Sequence, residues 1–106
     1  MIHKIRVSVT REHIKTGIPK SPKYCMLAQA IKESVAAKLP ELRFGGLFYH
    51  NAAYFNDTDF ITYTAYLSDR VYNASILFDA TGIHKPFYFY LTIKKDPPIM
   101  FERSFE

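Results

Sequence analysis

The side chains in this 106-residue chain that could do covalent or metal chemistry are few and scattered. Cys25 precedes an apolar helical pattern, where first-turn N–H groups and nearby Lys23 could lower a thiol pKa and make a nucleophile. A lone cysteine there is more often a small packing residue. His3, His13, His50 and His84 have no spacing that puts two of them on one face of a helix or strand, so no zinc site is legible. Asn56-Asp57-Thr58-Asp59 offers two carboxylates in a loop, which a divalent ion could use but which turn geometry alone also explains. No P-loop, dinucleotide fingerprint, G-x-S-x-G or H-E-x-x-H is present. Gly45-Gly46 lacks the Lys-Ser/Thr of a phosphate cradle. We expect no catalytic residue, no metal site and no cofactor.

The surplus is in rings: nine Phe and eight Tyr. In β-α-β-β-α-β RNA-binding domains, sheet aromatics stack bases. Tyr88 and Tyr90, with Lys94 and Lys95 behind them, could form such a platform, joined by Tyr63 or Tyr66. The K/R-G-F/Y-G/A-F-V-x-F/Y signature is missing from Phe60–Leu67. A second set suits a protein surface. Lys15, Lys20 and Lys23 could meet an acidic partner, and Met100, Phe101 and Phe105 could supply apolar anchors or form a homodimer.

These side chains need elements to position them. Asp79 to Lys95 organises the chain. It ends a helix, turns at Gly82 and launches a strand with Phe87, Phe89, Leu91 and Ile93 on one face and Tyr88, Tyr90, Thr92 and Lys94 on the other. We expect that strand to be central in a single sheet. Residues 2–10 read as the first strand, with Ile5, Val7 and Val9 inward and Lys4, Arg6 and Ser8 outward. Thr10 to Gly17 reads as a short helical turn capped by Thr10. The first long helix should run from about Pro22 to Lys38, with Ser21 as N-cap and Leu27, Ile31, Val35 and Leu39 as its apolar stripe. Leu42 to His50 reads as strand two, with a bulge or close approach at Gly45-Gly46. Asn51 to Asp59 reads as a connection, and Phe60 to Leu67 as strand three. Ser68 to Ala80 fits either period. Ser68 as N-cap, Asp69 in the first turn and Gly82 beyond the end favour a helix.

The resulting expectation is an α+β fold: a β-α-β-β-α-β, ferredoxin-like two-layer sandwich with a mixed or antiparallel four-stranded sheet and two helices on one face. One domain over residues 1–96 and a C-terminal tail over 97–106 would suit the length. No apolar run is long enough to span a bilayer, and the N-terminus lacks the apolar block of a signal peptide. With one cysteine, a reducing, cytoplasmic setting is expected. The net charge of +4 is uneven. Residues 1–40 carry eight Lys/Arg against two Glu, a net of +6, and the remainder nets −2. That asymmetry suggests an anionic partner.

Two stretches carry a further pattern. Val9-Thr10, His13-Ile14 and Gly17 form V-T-x-x-H-I-x-x-G, followed by Cys25-Met-Leu-Ala-Gln-Ala-Ile31. Leu67, Ser68 and Val71 form L-S-x-x-V, followed by Phe78-Asp79, Gly82 and Lys85 to Leu91, with P-F-x-F-x-L in the final strand. Together these stretches resemble a group of small bacteriophage-encoded proteins. Here Met26 replaces the family's usual Pro, and an often-present upstream second Cys is absent. The resemblance implies a non-enzymatic phage or mobile-element accessory protein that acts in the host cytoplasm by binding a host macromolecule. Inhibition of a defence complex of nuclease or CRISPR type would be one such role. The alternative is a single-stranded nucleic-acid binder that uses its sheet face.

Overall fold

The structure is a computed structural model that describes residues 2–48 and 51–97. In chain order the elements are β1 (Ile2–Val9), α1 (Arg11–Thr16), α2 (Met26–Lys38), β2 (Arg43–Phe48), β3 (Ala52–Asn56), β4 (Thr62–Tyr66), α3 (Asp69–Thr81) and β5 (Phe87–Lys95). The strands form one sheet in the order β1-β5-β4-β3-β2, and every neighbouring pair is antiparallel.

The α+β class stands, and β5 is internal as its two-faced pattern required. The four-stranded expectation is corrected to five strands. Residues 52–56, read as part of a connection, form β3 and pair on both sides, with β2 and with β4. The β-α-β-β-α-β order becomes β-α-α-β-β-β-α-β. Moreover, α3 joins β4 to β5, which are antiparallel neighbours; the ferredoxin-like sandwich has a βαβ unit there.

Alternation builds one apolar face. Ile5, Val7 and Val9 of β1 and Phe89, Leu91 and Ile93 of β5 are buried, together with Ala53, Phe55, Tyr63 and Ala65 of β3 and β4. Leu27, Ile31 and Val35 of α2 and Val71, Ala74 and Phe78 of α3 close over them in one cluster. Full burial of each large apolar side chain contributes roughly 1.5–3 kcal/mol.

The helix ends follow local chemistry. The Thr10 hydroxyl accepts from the His13 N–H, and the His13 ring accepts in return from the Thr10 N–H at 3.0 Å, a reciprocal cap for α1. Ser68 caps α3, and Gly82 ends it in the left-handed region at φ 70°, so Ser68–Ala80 is helical as its caps indicated. Helix α2 starts later than expected. The Tyr24 carbonyl is taken by the Ile18 N–H and the Gln29 side chain, and the Ala28 N–H turns to Cys25 Sγ. The α ladder therefore cannot extend back through Pro22, and Cys25 rather than Ser21 is the N-cap.

Candidate nucleic-acid interface

The outward side of β1 and β5 is built by the same alternation that fills the core. Antiparallel register sets Lys4 opposite Thr92, Arg6 opposite Tyr90 and Ser8 opposite Tyr88. The two cations then lean along the diagonal. The Arg6 guanidinium lies 4.2 Å from the Tyr88 ring centroid, and the Lys4 ammonium 5.4 Å from that of Tyr90. Both are within cation–π range. Tyr88 and Tyr90 sit edge to face with centroids 6.2 Å apart, and both rings are half exposed or more.

The surface continues onto β4. Thr64 lies opposite Lys94. Thr64, Tyr66, Thr92, Lys94, Lys95, Asp96 and Pro97 line a depression of about 460 Å³. Tyr66 is 78% exposed. At the far end, Arg6, Ser8, Thr10, Arg11, Glu12 and Tyr88 border a second depression. Arg70 of α3 reaches the edge of this surface, where its guanidinium donates to the Tyr88 carbonyl at 2.9 Å. No carboxylate occurs among the outward residues of β1 and β5.

Of the residues expected at a base-stacking platform, Tyr88, Tyr90 and Lys94 share this face. Lys95 borders the depression too, but it stands opposite the inward Tyr63 in the register. It acts electrostatically on Asp57. Of the two tyrosines on β4, Tyr66 joins the open face. Tyr63 is buried and donates its hydroxyl to Asp57 at 3.2 Å. Burial, then that bond and the adjacent carboxylate charges, push the Tyr63 hydroxyl pKa up. Sequence reasoning missed Lys4 and Arg6 as partners of the rings. Their outward placement was legible, but the pairing of β1 with β5 was not. Tyr54 also faces outward, but its ring lies over the bulge at Gly45. A Cβ there would come within 2.6 Å of the ring, so that tyrosine is committed to structure.

The expected protein-contact set is placed in part. Lys15 is exposed on α1, and Lys20 and Lys23 are exposed in the connection to α2. Lys20 is left-handed at φ 66°, and its N–H donates to Asp79 Oδ1 at 2.7 Å. Met100, Phe101 and Phe105 lie outside the described residues, as does His50.

The groups that suggested covalent or metal chemistry have structural partners. Cys25 is buried as the N-cap of α2. Burial pushes its thiol pKa up, against the Ala28 and Leu27 N–H groups. His13 is also buried. Because a backbone N–H can only donate, Nδ1 is its acceptor for Thr10, and Nε2–H donates to Glu33 Oε2 at 2.8 Å. Gly17 admits no side chain, since a Cβ would meet the Met26 nitrogen at 2.7 Å and the His13 carbonyl at 2.8 Å. Thr10, His13, Gly17 and Cys25 thus share one junction between β1, α1 and α2. The His84 ring packs on Phe87, with centroids 4.9 Å apart. Among the described residues, no three His, Cys, Asp or Glu side chains converge as metal ligands. No helix there is long and apolar enough to cross a membrane.

No family model matches the chain, and neither the curated proteins nor the solved structures searched contain a match to it.

Proposed function

We propose that the protein is a non-enzymatic binding module that holds single-stranded nucleic acid on the outward face of β1, β5 and β4. One observation carries this reading: Arg6 over Tyr88 and Lys4 over Tyr90, side by side, with both rings half exposed or more. Each pair offers a π surface for a base and a cation for the adjoining phosphate. The guanidinium plane is itself a stacking surface for bases. Lys94 and the exposed ring of Tyr66 extend the track beyond Thr92. The reading commits to no base sequence, because stacking tolerates every base.

The phage-like opening and final strand support a place among mobile-element accessory proteins, for which a host macromolecule is the expected target. On this proposal the host ligand is a nucleic acid, alone or within a complex such as a defence nuclease. Among the described residues, the competing protein-contact reading has the support of exposed Lys15, Lys20 and Lys23.

Fluorescence anisotropy with labelled single-stranded oligonucleotides tests the proposal. Affinity should fall steeply as salt rises. Tyr88→Ala and Tyr90→Ala should each cost ~1–3 kcal/mol. Lys4→Ala should weaken binding and lower the salt slope by about one. Absence of binding at low salt, or binding untouched by both tyrosine substitutions, refutes it.

A further inference from the structure

The β3–β4 hairpin presents Phe60 in an uncommon way. The ring is 84% exposed, and its backbone is left-handed at φ 64°. In a hairpin of this kind, a turn followed by one left-handed residue, that position ordinarily takes Gly. For a bulky side chain a positive φ is an outlier. The loop is nonetheless held firmly. The Phe60 N–H donates to the Asp57 carbonyl at 3.1 Å, and Asp57 Oδ1 accepts from Asp59 and Ile61 at 2.8 and 3.0 Å. The result is a rigid apolar knob flanked by the carboxylates of Asp57 and Asp59.

The opposite end of the molecule carries a matching recess. Leu77, Thr81, Ile83, His84 and Lys85 line a groove of about 490 Å³ at the end of α3. Leu77 and Ile83 are each more than half exposed. The rim residue Lys85 is basic, the knob acidic, so their charges are complementary. Knob and groove cannot meet within one chain. The groove adjoins Phe87 at the start of β5, where His84 stacks. The hairpin adjoins the end of β5, where the Asp96 N–H donates to the Thr62 carbonyl at 3.0 Å. Nine residues of strand lie between, roughly 27 Å.

We infer that Phe60 of one copy docks in the Leu77–Ile83 groove of the next, a head-to-tail contact between copies of this chain. Such a contact uses two different surfaces, so it leaves a free knob at one end and a free groove at the other. An aromatic ring entering an apolar pocket is the usual anchor of a protein contact.

Sedimentation velocity over a concentration series tests this without any nucleic acid, so its outcome is independent of the proposed function. The wild-type apparent mass should rise with concentration. Phe60→Ser and Leu77→Asp should each return it to that of a monomer, with the far-ultraviolet circular dichroism of the wild type retained; Ile83→Asp serves if Leu77→Asp does not fold. A mixture of the two variants should form dimers and nothing larger, because only one intact knob and one intact groove can meet. A wild type that remains monomeric up to about 1 mM overturns the proposal. So does a mixture that stays monomeric. If truncation after Pro97 then brings association on, the groove belongs to the chain's own last residues, which also overturns it.

Discussion

Phe60 shows how one residue can work against the fold it sits in. A left-handed backbone costs an L-residue other than Gly roughly 1–2 kcal/mol. An exposed ring recovers little of that by burial. Asn tolerates the same conformation far better. Phe60→Asn should therefore raise the stability of the protein by about 1 kcal/mol, read from urea unfolding at unchanged m-value. The same substitution should abolish self-association. A gain of stability with a loss of contact is the pattern expected where a binding residue is kept at a cost to folding. If Phe60→Asn is less stable than the wild type, the ring is packed in solution and is not presented. His13 is the opposite case. Its ring is spent on the Thr10 cap and on Glu33, so a residue that the sequence offers as chemically able serves to join β1, α1 and α2.

At the scale of elements, the β3–β4 hairpin depends on one carboxylate. Partial burial would raise the Asp57 pKa, but the Ile61 and Asp59 N–H groups, the Tyr63 hydroxyl and the Lys95 charge outweigh it and hold the carboxyl below its usual range. A carboxyl depressed in the folded state stabilises above its unfolded pKa, and that contribution disappears as pH falls through the folded value. Thermal melts from pH 7 to pH 2 should therefore show the wild type more stable than Asp57→Ala above about pH 4, with the gap closing below it. A gap that widens on acidification contradicts the assignment. The hairpin also shows where the sequence was legible and where it was not. Helix α3 could be read because its signals are local: Ser68 and Gly82 bracket it and act on their own neighbours. Strand β3 was missed because Asn51 and Asp57 bracket only five residues, and those residues owe their extension to β2 and β4 rather than to their own pattern. The late start of α2 was missed for a similar reason, since Ile18 competes for the Tyr24 carbonyl across a loop. At the candidate site, Tyr88 and Tyr90 were readable from alternation alone. Lys4 and Arg6 were not, because their partners come from the other end of the chain and only the β1–β5 register brings them together.

At the scale of the whole molecule, the proposed track and the proposed contact share an axis. The stacking pairs run along β5, and the groove and knob lie beyond its two ends. Copies joined knob to groove would set their open faces in series along one strand. Neighbour contacts of this kind produce cooperative binding, which is common for single-strand binders. A junction worth about 1.4–2.8 kcal/mol would favour adjacent over isolated binding by 10- to 100-fold. Titrations on two oligonucleotides separate the contributions. On one just long enough for a single copy, Phe60→Ser should bind as tightly as the wild type, and Tyr90→Ala should bind more weakly. On one several times longer, the wild type should saturate over a narrower concentration range than Phe60→Ser, whose isotherm should fit independent sites. If Phe60→Ser weakens the short oligonucleotide as much as the long one, the ring touches the strand itself. If both proteins bind the long strand with equal, non-cooperative isotherms, the two ends of the molecule do not meet on it.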